Sequence, residues 1–162
     1  MTILKKYVLP IAFILVLLAI DQVTKHLAVI HLQPVGEVVV LDGFLSLFYT
    51  TNAGMAFGLF QGGRWFFVAL TVVILAALTY HYITLQGHFA KLQRVLLLIL
   101  AAGALGNFVD RLIQGYVVDF FMFTFIDFPV FNVADIYLVV TIPALAVITM
   151  LPEKPRAKKE NG

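Results

Sequence analysis

The sequence of 162 residues contains no cysteine and a single serine, Ser46. Without cysteine, the chain cannot form disulfide bonds, use a thiolate nucleophile or bind a metal through sulfur. None of its four histidines forms the His-Glu-x-x-His pair of zinc hydrolases; they are His26, His31, His81 and His88. These absences exclude most hydrolase mechanisms that use a nucleophilic side chain or a bound zinc ion.

Charged residues are also scarce. Only 12% of the residues are charged, whereas 62% are hydrophobic, and the mean hydropathy is +0.99. These values are far from those of soluble domains. Four apolar stretches are long enough, or nearly so, to cross a hydrocarbon core of about 30 Å; they are residues 7–30, 65–83, 92–112 and 135–151. We therefore predict an all-α integral membrane protein with four transmembrane helices in one membrane domain, residues 1–151.

The basic residues indicate the orientation of these spans. Lys5 and Lys6 precede the first span as in a signal peptide, but no small-x-small cleavage site follows, so we predict a retained anchor. In a four-span topology, eight of the eleven basic residues fall on one side of the membrane: Lys5, Lys6, Lys91, Arg94, Lys154, Arg156, Lys158 and Lys159. The positive-inside rule then places both termini in the cytoplasm, with residues 152–162 as a basic cytoplasmic tail.

A small sheet is predicted between the first two spans. The segment EVVVLDGFLSLFY contains two β-prone runs on either side of Asp42-Gly43, a dipeptide preferred in two-residue hairpin turns. We place this β-region at about residues 35–50, on the extracytoplasmic face.

Several polar residues lie in or beside the spans. Asp21 and Lys25 are four residues apart and share one face of the first helix. They either pair with each other while Lys25 extends to the membrane surface, or support a functional site. Asn52 and Gly54 lie in the loop before the second span, where Asn52 is either an ordinary turn residue or part of a site.

The third span carries a polar stripe. Gly103, Asn107 and Asp110 recur on one helical face, with Gly106 nearby and Arg111 beside them. The small residues are typical of helix packing. Asp110 and Arg111 either form an internal salt bridge that joins two helices or belong to a functional site.

Asp119 lies within YVVDFFMF, a run of large apolar side chains. An isolated ionised carboxylate is costly to bury, so Asp119 needs a partner, a proton or water. Asp135 opens the fourth span sixteen residues later, at the same membrane face, and the intervening Pro129 suits a chain reversal. Asn132 can cap that helix with Asp135 at its third position, so a purely structural cap fits the spacing as well.

If Asp119 and Asp135 approach within a few ångströms, their repulsion raises the proton affinity of one of them and the pair holds one proton. In aspartic proteases, one such carboxylate takes a proton from the attacking water. Its protonated partner polarises the scissile carbonyl and later supplies a proton to the leaving amine. We therefore predict a catalytic pair that requires neither a cofactor nor a metal ion.

Two other classes of function use the same residues. A small carrier could use paired carboxylates as a proton relay, although the chain lacks repeated halves and its polar candidates cluster at one face rather than at the midplane. A noncatalytic scaffold could use its charges to pair helices.

Five ordered segments, DQVTK, NAGMAFG, GALGNFVDR, VVDF and FNVAD, resemble the bacterial lipoprotein signal peptidases, signal peptidase II. The resemblance covers essentially the whole chain, and five blocks in order are far more specific than any one of them. One departure is Ile136, because the family often has serine after the second catalytic aspartate.

The resemblance implies an inner-membrane aspartic endopeptidase that cuts lipid-modified prolipoproteins just before the diacylglyceryl cysteine, near the outer face. It places Asp119 and Asp135 at the catalytic positions. The other motif positions, which shape the site or contact substrate, are Asp21, Lys25, Asn52, Gly54, Asn107, Asp110, Arg111 and Asn132. The expected partners are the prolipoprotein and membrane lipid, without nucleic acid, and a monomer suffices.

Overall fold

The computed structural model describes residues 4–54, 62–85, 87 and 89–152. Its helices are α1 (Leu9–His31), preceded by a π-helical turn at Leu4–Val8, α2 (Arg64–Thr84), α3 (Ala90–Ile113) and α4 (Val133–Met150). Its strands are β1 (Glu37–Leu41), β2 (Leu45–Asn52) and β3 (Val117–Phe123). The predicted basic tail beyond Pro152 and motif residues 55–58 lie outside the described residues.

All four helices are long and apolar enough to cross a membrane. Many of their large apolar side chains face outward, among them Val73 and Val139, as a helix in contact with lipid requires. α3 is the most buried of the four and packs against each of the other three. The predicted fold class, four transmembrane helices with a small sheet, is confirmed.

Two glycines allow α3 to approach its neighbours closely. A Cβ atom added at Gly103 would lie 2.8 Å from the carbonyl oxygen of Ala134 in α4. A Cβ atom at Gly106 would lie 2.5 Å from the carboxylate of Asp21 in α1. Both distances are shorter than real Cβ contacts, so a larger residue would require a shift of the α4 backbone at Gly103 and of the Asp21 carboxylate at Gly106. The helix-packing role predicted for these small residues is confirmed.

The three strands form an antiparallel sheet in the order β1-β2-β3. Leu41 pairs with Leu45, so the hairpin loop has three residues rather than the two that Asp42-Gly43 favours. Gly43 has a φ of +68°, a conformation that glycine adopts without steric cost. The longer loop is closed by the amide of Phe44, which donates to the Leu41 carbonyl at 3.0 Å.

The third strand was not predicted from the sequence. β3 contains Asp119, which is paired with Thr50 of β2. Further along, Phe121 and Phe131 exchange backbone hydrogen bonds of 2.8 and 3.0 Å, and this pairing ties the chain before α4 to β3. As a result, the start of α4 lies beside Asp119.

Candidate active site

The two aspartates predicted to form a pair flank one asparagine. Asp119 is 2% exposed in β3, whereas Asp135 in the first turn of α4 is partly exposed. The side-chain amide of Asn132 donates to Asp119 Oδ1 at 2.6 Å, and the backbone amide of Asn132 donates to Asp135 Oδ2 at 3.1 Å. Asn132 therefore links both carboxylates.

The helix cap predicted as the structural alternative is also present. Asn132 Oδ1 accepts a hydrogen bond of 3.0 Å from the Asp135 amide, which completes a reciprocal capping box with the bond from the Asn132 amide. Capping and carboxylate contact are thus combined in one residue. Because the cap fixes the first turn of α4, it also fixes the direction of the Asp135 side chain.

Asn52 serves both as a turn residue and as a site residue. Its Oδ1 accepts a hydrogen bond of 3.0 Å from the Gly54 amide, as in an Asx turn. Its Nδ2 donates to Asp119 Oδ2 at 3.3 Å. The pairing of Thr50 with Asp119 brings the end of β2 to this position. The two interpretations of Asn52 are therefore compatible.

Asn107 connects the carboxylate pair to the helix bundle. Its Nδ2 donates to Asp135 Oδ1 at 2.8 Å. Its Oδ1 accepts from Lys25 Nζ at 3.0 Å and from Asn132 Nδ2 at 3.1 Å. Both polar atoms of this side chain are used, which determines its orientation.

Lys25 forms the centre of a buried ionic cluster. Its Nζ lies 2.9 Å from Asp21 Oδ2 and 2.9 Å from Asp110 Oδ2, and the residue is only 3% exposed. The predicted pairing with Asp21 is present, but the extension of Lys25 to the membrane surface is wrong. Two carboxylates and the oxygen of Asn107 are available inside the bundle, and they replace the water that the ammonium group would find outside.

Asp21 extends this cluster to the fourth helix. Its Oδ1 accepts a hydrogen bond of 2.9 Å from the backbone amide of Ala134, in the first turn of α4. A carboxylate is favoured at a helix N-terminus because the exposed amides carry partial positive charge. The cluster therefore holds the helix turn that carries Asp135.

Arg111 does not take part in an ion pair within the described residues. The helix-joining salt bridge considered for Asp110 and Arg111 is made by Asp110 with Lys25 instead. Arg111 Nη2 donates to the Gly54 carbonyl at 2.9 Å, and its Cζ lies 4.8 Å from the ring centroid of Phe67. It thereby connects α3 to the loop that follows Asn52.

One residue of the site was missed by the sequence reasoning. Gln22 Nε2 donates to Asp110 Oδ1 at 2.9 Å and to the Gly106 carbonyl at 3.2 Å, so it holds the second oxygen of Asp110. The available signal was a polar residue inside an apolar helix, next to Asp21. The spacing of four residues indicates only the pair of Asp21 and Lys25.

Burial raises the pKa of Asp119 from its usual value of 3.8 to about 7, and the nearby charge of Asp135 adds to this effect. Hydrogen bonds from Asn132 and Asn52, and the charge of Lys25, oppose the shift without cancelling it. Asp119 can therefore hold a proton at neutral pH, as one member of a catalytic carboxylate pair must.

The fold and this site define a multi-pass membrane protein with a buried, carboxylate-rich polar centre at one end of its helix bundle. A family model described as signal peptidase (SPase) II matches residues 13–151. The chain belongs to this family, which is a family of peptidases.

The chain is similar to proteins named lipoprotein signal peptidase. The one from Symbiobacterium thermophilum is 40% identical over 148 residues, which cover 90% of this chain and 97% of the relative. The one from Streptococcus thermophilus is 39% identical over 160 residues, 98% of each chain.

Two solved structures described as a bacterial membrane enzyme also match. The structure at 2.3 Å resolution has a TM-score of 0.81 and 33% identity, and the match covers 94% of this chain and 96% of that one. The structure at 1.9 Å has a TM-score of 0.79 and the same identity, over 92% of this chain and 96% of that one. The resemblance drawn from the five motifs is thus confirmed.

Proposed function

We propose that this protein is an aspartic endopeptidase that removes signal peptides from diacylglyceryl-modified prolipoproteins by cutting just before the lipidated cysteine. The observation that carries the proposal is that Asp119 and Asp135 both hydrogen-bond to Asn132. The membership of the chain in the signal peptidase II family supports the substrate class.

In the proposed reaction, the pair starts with one proton, which resides on Asp119. Asp135 takes a proton from water as the water oxygen bonds to the scissile carbonyl carbon, and Asp119 gives its proton to the carbonyl oxygen. When the tetrahedral intermediate collapses, Asp135 protonates the leaving nitrogen and the C–N bond breaks. A hydroxyl of the intermediate returns a proton to Asp119, so the starting state is restored.

The burial of the two residues supports this division of roles. Asp119 is almost fully buried, which favours its neutral form. Asp135 is partly exposed and accepts hydrogen bonds from Asn107 and the Asn132 amide, which favour a carboxylate that can meet water. Asn52 and Asn132 hold Asp119, and Lys25 with its carboxylate partners supports the scaffold behind them.

The proposed location follows from the substrate. A diacylglyceryl group stays in lipid while its peptide bond must meet water, so a site at the end of the bundle is suitable. With both termini in the cytoplasm, as the basic residues predict, this end is the extracytoplasmic face of the inner membrane. We propose that the sheet lies on that face beside the bound peptide.

The substrate assignment is tested with a precursor prepared with and without the diacylglyceryl group on its cysteine. We expect the purified protein in detergent or lipid nanodiscs to cleave only the lipidated precursor, since the acyl chains anchor the scissile bond at the site. Mass spectrometry should then find the lipidated cysteine at the new N-terminus. Equal cleavage of both precursors, or a cut elsewhere, would refute the assignment.

The pH dependence tests the proposed proton on Asp119. Because its pKa is raised to about 7, the catalytic rate should fall as pH rises through 7, approaching roughly tenfold per pH unit above it. The native state also holds a proton that the unfolded state releases above its pKa near 3.8, so the free energy of unfolding should fall between about pH 4 and 7 and then level off.

Initial rates and thermal unfolding measured from pH 4 to 9 check both effects. The exposed Asp127 offers a control, because Asp127→Asn should leave both profiles unchanged. A rate that stays constant up to pH 9 would contradict the assignment of the proton to Asp119.

A further inference from the structure

A cavity lies far from the carboxylate pair. It has a volume of about 310 Å³ and lies between the first half of α1, the last turns of α2 and the first half of α3. Arg94 beside this cavity and Asp110 at the site are sixteen residues apart on α3, a separation of roughly 24 Å along the helix. The cavity therefore lies at the opposite end of the bundle from the site.

The described lining of this cavity is mostly apolar. Ile11, Ile14, Leu97 and Ala101 are among the residues that form its walls. α1 and α2 each pack against α3 but make little contact with each other, which leaves this space between them. A volume of this size falls at the lower end of the range for small-molecule sites.

Two basic residues line the same cavity, and no acidic residue is found among its described lining. Arg94 is held in position: its Nη2 donates to the Leu85 carbonyl at 2.9 Å, and its Cζ lies 5.9 Å from the ring centroid of Tyr82. Its Nε is buried and has no hydrogen-bond partner among the described residues. Lys6 Nζ lies 5.0 Å from the ring centroid of Tyr7. The π-helical turn before α1 and the start of α3 thus present two cations, and the described lining contains no carboxylate that neutralises their charge.

We propose that this cavity binds one anionic phospholipid, with an acyl chain between the helices and the phosphate at Lys6 and Arg94. Apolar walls suit an acyl chain, and paired cations suit a negatively charged headgroup more than a zwitterionic one. The guanidinium of Arg94 offers planar donors that match phosphate oxygens. The same charges repel a cationic peptide segment. The site is independent of the proposed peptidase activity.

Native mass spectrometry of the delipidated protein tests the proposal directly. Phosphatidylglycerol and phosphatidylcholine with identical acyl chains are compared, with inorganic phosphate as a third ligand. We expect one phosphatidylglycerol molecule per chain, bound at least about tenfold more tightly than phosphatidylcholine, since a membrane-surface cation contributes roughly a fivefold change in affinity. Inorganic phosphate should not compete at the concentration where the lipid saturates.

Three variants assign the binding to this cavity. Lys6→Gln should weaken phosphatidylglycerol binding about fivefold, and Lys6→Gln with Arg94→Gln by more than about tenfold. Ala101→Leu should weaken both lipids, because the larger side chain occupies the space of the acyl chain. The matched control is Lys91→Gln, an exposed residue of the same helix that does not line the cavity and should leave binding unchanged.

Several results would overturn the proposal. Equal binding of the two lipids would identify a general acyl groove, and competition by inorganic phosphate would identify an anion site without lipid. An equal loss in Lys91→Gln would indicate attraction to the basic surface as a whole. If the double variant does not fold, the phosphatidylglycerol affinity of Lys6→Gln alone tests the proposal. This single variant should fold because Lys6 precedes α1 and is exposed.

Discussion

Asp119→Asn and Asp135→Asn are each expected to reduce the rate of cleavage of a lipidated precursor by roughly a thousandfold or more, the upper part of the range for general acid–base catalysis. Asparagine keeps the size of aspartate but can neither accept the proton of the attacking water nor donate one to the carbonyl oxygen. Because both residues act in the same step of the proposed reaction, the double variant should be no slower than the slower single variant.

Cleavage rates of purified, correctly inserted protein measure this effect, with the melting temperature in detergent as a check of folding. Asp127→Asn provides the matched control, since it makes the same chemical change on an exposed residue between the two aspartates. It should leave the rate unchanged. Substantial turnover in either Asp119→Asn or Asp135→Asn would refute the aspartic mechanism. A carrier would instead lose transport in these variants and show no cleavage in any of them.

Lys25→Ala is expected to cause the largest loss of stability, about 3–5 kcal/mol in the free energy of unfolding. The change leaves the carboxylates of Asp21 and Asp110 buried without the ammonium group that lies 2.9 Å from each. Asn107 also loses a hydrogen bond of 3.0 Å, which weakens the support of Asp135. A loss of this size is exceptional for a single substitution.

Unfolding in detergent, followed by heat or denaturant, measures the effect. Lys91→Ala is the control because Lys91 is exposed, and we expect a change within about 0.5 kcal/mol there. Turnover per folded molecule separates the two roles that the sequence left open. If Lys25→Ala is as stable as Lys91→Ala while turnover falls, Lys25 contacts substrate and does not support the bundle.

The parts of the fold that could be predicted from the sequence are those set by local patterns. Four long apolar stretches produce four helices because a backbone in lipid must satisfy its hydrogen bonds internally. The capping box of Asn132 and Asp135 follows from their spacing of three residues. The glycines of α3 indicated close helix packing, and Gly103 and Gly106 do approach Ala134 and Asp21.

The parts that were missed depend on contacts between distant segments. The run around Asp119 has strand-forming residues, but its apolar character fits a membrane segment equally well, and only pairing with β2 makes it a strand. The predicted outward direction of the Lys25 side chain was wrong because it, too, depends on a contact with a distant segment. A lysine near the end of a span extends outward by default, and only the position of Asp110 on another helix makes the interior favourable.

By itself, the sequence determined the class of this protein, its four spans and the residues that a site could use, because hydrophobic length and motif spacing act along the chain. Only the tertiary structure decided how these residues meet. It places Asn132 between Asp119 and Asp135, brings Gln22 to Asp110, and turns Lys25 into the bundle. The physical reason is that the cost of burying a charge depends on partners that arrive from other helices and strands.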